Sequence, residues 1–206
     1  MRIITVSREL GSGGREIGKR LADILHMPYY DREILTKLAE ETELDEGYVS
    51  HMLERASVVQ SLPLNFSRPL AQPAGMYQSA RLLGREQKII RELAQQGDCI
   101  IVGRSADAVL EELAPFKIFV YADMEAKIAR CRARAAEGEN LTDKEYEKRL
   151  RQVDKARAAN HDFVAGYAWG DRAHYNLCLN TTGMNIKTAV PGLAAVVESW
   201  FQAGGR

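Results

Sequence analysis

Short apolar runs alternate with longer amphipathic stretches along this chain. The runs are Ile3 to Val6, Met27 to Tyr30, Cys99 to Val102, Ile118 to Tyr121 and Asn176 to Leu179. Each is too short for a helix and is rich in strand-favouring residues, so the pattern predicts buried strands. Helical periodicity is expected from Arg15 to His26, from Asp31 to Ala56, from Ser79 onward, through much of Asp123 to Trp169, and from Asn185 to Gln202. Such alternation predicts a parallel sheet with helices on both faces. Cys99 to Val102, between Gly97-Asp98 and Gly103-Arg104, reads as a fully buried central strand. Its C-terminal end, like that of the first strand, should open on a ligand crevice.

Two segments exceed a plain crossover. Residues 31–96 combine helices with a stretch bearing Pro63, Pro69 and Pro73, and this insert could cover a substrate or form a dimerisation or packing arm. Residues 123–169 are helical and dense in arginine (Arg130, Arg132, Arg134, Arg149, Arg151, Arg157), with a loop near Gly138 to Leu141. Most of those charges should form a solvated face, and a minority should reach a site.

Length and composition narrow the picture. The 206 residues suit one domain spanning 1–206 with these two helical elaborations. Twenty-eight basic residues offset 28 acidic ones, so no general attraction to nucleic acid or to an anionic membrane is expected. The three cysteines lack metal-ligand spacing, and Cys99 and Cys178 read as small buried hydrophobes in a reducing compartment. No stretch reads as a membrane span or signal peptide, so a soluble, cytoplasmic protein is expected. The four histidines lie far apart without metal-like spacing and read as surface or supporting residues, and Trp169 and Trp200 read as packing anchors.

The first strand runs into Gly11-Ser12-Gly13-Gly14 and then a helix. Glycines let the main chain approach an anion, and the free amides of a helix N-terminus face it, so the pattern predicts a phosphate-binding P-loop. Anchoring the helix on Gly14-Arg15-Glu16 puts Arg15 at the lysine of G-x-x-x-x-G-K-[ST], Glu16 at the hydroxyl and Glu9 at the first glycine. Arg15 or Arg8 could supply the missing cation. Glu16 is expected to cap the helix, or to act beside Mg²⁺.

Taken in order, the motifs resemble those of the cytidylate kinase-like family, a branch of the P-loop nucleoside monophosphate kinases. They are I-T-V-S-R-E-L-G-S-G-G-R-E-I-G at Ile4 to Gly18, P-Y-Y-D-R-E at Pro28 to Glu33 and I-V-G-R-S-A at Ile101 to Ala106. F-V-Y-A-D at Phe119 to Asp123, D-K-A-R at Asp154 to Arg157 and Y-N-L-C-L-N-T at Tyr175 to Thr181 complete the set. The serine-arginine-glutamate lead-in makes the departure from the lysine motif a trait of this branch. The resemblance implies a three-layer α/β P-loop kinase fold with strand order 2-3-1-4-5. It also implies ATP- and Mg²⁺-dependent phosphoryl transfer to a nucleoside monophosphate, CMP or dCMP first. The rivals are a kinase of another small metabolite and a non-catalytic nucleotide sensor. By the same resemblance Arg8, Gly11, Ser12, Gly13, Gly14, Arg15 and Glu16 would hold ATP, and Arg104 would contact the acceptor. Arg130, Arg157 and Arg134 would be lid cations. Asp31 would orient Mg²⁺ or an acceptor hydroxyl, or else cap the helix that follows it. Asp154 would pair with Arg157 one turn on, and Asn180-Thr181-Thr182 would form the adenine-side loop or an ordinary turn. The metal ligand and oligomeric state stay open.

Overall fold

In the computed structural model, which describes residues 1–60 and 74–205, five parallel strands form one sheet in the order β2-β3-β1-β4-β5. The strands are β1 (Ile3–Arg8), β2 (Tyr29–Tyr30), β3 (Cys99–Val102), β4 (Phe116–Tyr121) and β5 (Leu177–Asn180). The helices are α1 (Gly14–Leu25), α2 (Glu33–Thr42), α3 (Glu46–Gln60), α4 (Ala74–Gln95), α5 (Ala106–Val109), α6 (Met124–Arg132), α7 (Asp143–Ala165) and α8 (Ile186–Gln202). The fold class and strand order match the sequence reading, and β3 matches it residue for residue. Pro63, Pro69 and Pro73 lie outside the described residues.

The expected single helix from Asp31 to Ala56 is two. It breaks at Glu43, which takes a left-handed conformation (φ 53°), and α3 restarts where Asp45 Oδ1 accepts the Tyr48 amide at 2.9 Å. No glycine or proline marks the break in the sequence, so local propensity alone concealed it.

Side-chain parity on the strands builds a core on each face. Ile4, Val6, Ile100, Val102 and Ile118 pack with α1 and α8, through Ile17, Leu21, Val190 and Val197. Ile3, Cys99 and Ile101 pack on the other face with Ile34, Leu38, Val49, Ile89 and Ile90 of α2, α3 and α4. The expected anchors are in place: Trp200 meets Phe116 edge-on with ring centroids 5.1 Å apart, and Trp169 meets Phe119 at 5.2 Å.

The chain leaves neighbouring strands β1 and β3 toward opposite faces, α1 on one and α5 on the other, so a crevice opens above their C-terminal ends. Gly18 lets α1 lie low over this edge, since a Cβ there would sit 2.7 Å from Val102 Cγ2. Gly18→Ala should therefore cost about 1–3 kcal/mol by overpacking. Gly84 is the control: it is exposed on α4 with nothing within 4 Å of an added Cβ. Gly84→Ala should stabilise by about 0.5–1 kcal/mol. Urea unfolding of both variants checks the contrast, and equal effects would discount the close approach of α1.

Candidate active site at the C-terminal edge of the sheet

The glycine loop ends in Gly13, left-handed at φ 87°, and α1 opens at Gly14 without any side-chain cap. Among the described residues, the amides of Gly11, Gly13, Gly14, Arg15 and Glu16 find no hydrogen-bond acceptor in the protein. Unpaired amides at the positive end of a twelve-residue helix make a cradle for an anion. The glycines also serve packing. A Cβ at Gly11 would lie 2.8 Å from the Lys127 carbonyl, and one at Gly13 would lie 2.3 Å from Ile186 Cδ1.

This helix start shifts the motif register by one from the sequence reading. The glycine that closes the loop is Gly13, so Gly14 holds the lysine position, Arg15 the hydroxyl position and Arg8 the first-glycine position. Glu16 does not cap the helix. It pairs with Arg20 at 2.9 Å and Arg134 at 2.5 Å. Burial raises its pKa, but the two guanidiniums outweigh that and hold it below the usual value.

Three contacts fix the loop from outside. Asp154 Oδ1 accepts the Leu10 amide at 2.7 Å, Thr181 Oγ1 donates to the Ser12 carbonyl at 2.7 Å, and Arg130 donates to the Thr181 carbonyl while its Nη1 reaches Gly11 O at 3.5 Å. Arg130 is thus seated between the loop and the turn after β5, and Arg134 on Glu16. Neither of these expected lid cations is among the residues that line the crevice. Lys127, which the sequence did not single out, completes the tether by contacting Glu9 at 2.9 Å and Asp154 at 3.7 Å.

The crevice itself has a volume of about 970 Å³ and is walled by β1, β3, the insert helices and α7. Arg8, Arg15, Arg104 and Arg157 converge on it from four segments of chain. Asp31 is buried and is not a helix cap, that position being Arg32. Its carboxylate meets Arg15 at 2.5 Å and Arg8 at 3.5 Å. Arg157 donates to the Arg8 carbonyl at 3.1 Å and pairs with Asp154 at 3.4 Å, as the one-turn spacing predicts. Burial first, then Arg157, brings the Arg8 pKa down to about 9, with Asp31 opposing. Burial likewise lowers that of Arg157, opposed by Asp154 and reinforced by Arg104 and Arg15. The four guanidiniums crowd together, with the carboxylates of Asp31, Asp154 and Glu86 set against them.

Arg104 is held to the crevice by unusual backbone. Gly103, Arg104 and Ser105 all have positive φ (76°, 60° and 52°), a conformation that costs about 1 kcal/mol or more for a residue with a Cβ. The Arg104 guanidinium lies 3.3 Å from Glu86 of α4. Glu86 is 5% exposed, and its Oε1 has no hydrogen bond of proper geometry. The sequence also hid a buried chain behind the crevice: Ser7 Oγ donates to Asp107 Oδ1 at 3.1 Å, and His161 Nε2 lies 2.8 Å from Asp107 Oδ2. His161 follows Arg157 by four residues and shares its helix face. That spacing was the available signal.

The sheet order, glycine loop and crevice define the fold of the P-loop kinases. The chain belongs to the cytidylate kinase-like family, whose model matches residues 3–183. Its fold is similar to that of an uncharacterized protein from Eubacterium ventriosum (TM-score 0.69, 23% identity, 97% of this chain and 99% of that one). It is also similar to shikimate kinase from Bacteroides thetaiotaomicron (0.56, 16%, 96% and 98%) and to deoxyadenosine kinase from M. mycoides with bound dATP (0.50, 11%, 96% and 100%). No curated sequence matches the chain. Membership of this family supports a kinase.

Burial pushes the Glu86 carboxyl above the ordinary carboxylate range, and Arg104 only partly opposes this. A folded-state pKa above the unfolded one gives stability that is full below the unfolded value and is lost as pH rises through the folded value. Glu86→Gln has no proton to lose there. Its stability relative to wild type should therefore improve as pH rises above about 4, as read from urea midpoints. A pH-independent difference would mean that Glu86 titrates normally.

Proposed function

We propose that this chain transfers the γ-phosphoryl group of ATP to a nucleoside monophosphate, with CMP or dCMP as the first acceptor. The observation that carries the reading is the convergence of Arg8, Arg15, Arg104 and Arg157 on one crevice beside an open phosphate cradle. A neutral acceptor would leave much of that charge uncompensated, whereas an acceptor with its own phosphate supplies the counter-charge. The volume of about 970 Å³ suits a nucleotide-sized ligand. Leu35, Leu53 and Leu83 offer apolar walls, and the under-satisfied Glu86 offers an acceptor to an exocyclic amine.

In this reading the ATP phosphates rest on the amides of Gly11 to Glu16, with Ser12 shaping the loop from its buried position. Mg²⁺ bound with ATP would supply charge neutralisation on the polyphosphate. Asp31, now paired with Arg15 and Arg8, would be the carboxylate to hold it, since Arg15 stands where the usual hydroxyl ligand would be. An acceptor phosphate oxygen attacks the γ-phosphorus, the bond to the bridging β–γ oxygen breaks, and ADP departs. Arg157, carried on α7, acts as the lid cation that stabilises the equatorial oxygens in transit. Residues 31–96 serve as the acceptor-binding insert and residues 123–169 as the lid region.

A coupled assay of ATP against all nucleoside monophosphates and a panel of anionic metabolites tests the proposal. Turnover confined to a carboxylate acceptor would move the reading to another metabolite kinase. ATP binding without any turnover would favour a sensor. Arg157→Ala should lower kcat about a hundredfold or more while ATP affinity stays nearly unchanged. Arg151→Ala should stay near wild type, since Arg151 is exposed and, among the described residues, pairs only with Glu147 one turn away. Equal activity of Arg157→Ala and wild type would reject the role given to Arg157.

A further inference from the structure

Arg8 and Gly14 stand in an unusual relation. In a P-loop of standard letters a glycine opens the loop, and a lysine at the start of the helix reaches back to the β- and γ-phosphates. Here the basic residue and the glycine have changed places: Arg8 is at the loop-opening position and Gly14 at the helix-opening one. The exchange is also spatial. A Cβ on Gly14 would lie 2.5 Å from Arg8 Cβ and 2.9 Å from Arg8 Cγ, so the stem of Arg8 fills the room from which a lysine stem would start.

The head group is placed with equal restraint. Arg8 Nη1 lies 1.4 Å, and Cζ 2.5 Å, from where a Cβ on Gly103 would be, so only glycine admits it there. The side chain is 14% exposed, and it approaches Asp31 at 3.5 Å, a carboxylate that Arg15 shares at 2.5 Å. Among the described residues, the Arg8 guanidinium donates no hydrogen bond to the protein. A mostly buried guanidinium with five unused donors beside a phosphate cradle is held ready for an anionic partner.

We infer that Arg8 supplies, from the strand side of the loop, the cation that other P-loops take from the lysine of the helix. The inference rests on the ATP-binding reading above and deepens it. Two consequences follow. Glycine at position 14 is the space that this arginine requires, and a lysine can return to position 14 only if the side chain of residue 8 is removed entirely. Alanine would not suffice, because Arg8 Cβ is itself within 2.5 Å.

The test is isothermal titration of the full chain with ATP, ADP and AMP, with far-UV circular dichroism and a thermal melt as fold controls. Arg8→Gly should weaken ATP and ADP about ten- to a hundredfold and AMP by less than about threefold, since AMP lacks the outer phosphates. Gly14→Lys alone should melt below wild type. Arg8→Gly combined with Gly14→Lys rebuilds G-x-x-x-x-G-K and should recover ATP affinity to within about fivefold of wild type. Should the double variant fail to fold, Arg8→Lys decides: a retained preference for ATP over AMP supports the role, and its loss overturns it. A folded Arg8→Gly that binds ATP like wild type overturns the inference. So does an equal loss for ATP and AMP, a folded double variant no better than Arg8→Gly, or a wild type that does not bind ATP. A wild type that binds ATP but transfers nothing defeats the kinase reading alone, and the ATP-to-AMP ratios still decide the role of Arg8.

Discussion

The architecture around the crevice depends on accommodating one mostly buried guanidinium at the end of the central strand. Arg8 sits where β1 meets its neighbours, flanked by two glycines at which an added Cβ would run into it, Gly14 beside its stem and Gly103 beneath its head. Its backbone carbonyl receives Arg157, and its head faces Asp31. Strand, glycine loop, insert and α7 are thus referred to a single side chain. A charge this withdrawn from water is tolerable only with partners, and the protein supplies few, which leaves the balance to a ligand.

Charge distribution separates the two sides of the loop. On one side Arg130 and Arg134 are spent on Thr181 and Glu16. On the other, Arg8, Arg15, Arg104 and Arg157 share little beyond Asp31, Asp154 and Glu86. The arginines of residues 123–169 therefore divide into Arg130 and Arg134, tied to the glycine loop and to Glu16, exposed ones such as Arg151, and Arg157, which lines the crevice. Burial and partner count draw that distinction, not sequence position.

Much of this was legible in the sequence, and the illegible part has physical reasons. Cys99 to Val102 could be read because a strand buried on both faces leaves a bare apolar run. The loop could be read because several small residues between a strand and a helix have few other uses. The motif register could not, since one residue of helix start decides it and four small residues offer several starts. Glu86 and the pair of Asp107 with His161 were invisible for a different reason: each is an ordinary polar residue locally, and only the packing of α4, α5 and α7 onto the sheet buries it. The break at Glu43 was hidden by good helix formers on both sides.

The tethers of the glycine loop bear on biosynthesis. Leu10 is held by a residue 144 positions later in the chain, and Ser12 by one 169 positions later. A nascent chain that has emerged only as far as β4 has its loop residues in order but lacks both fastenings. Contacts of such long sequence separation close late and slowly. The anion cradle is thus written by residue 16 yet fastened only once Thr181 has been made, so competence to hold a phosphate should arrive with that later segment rather than with the one that encodes the loop.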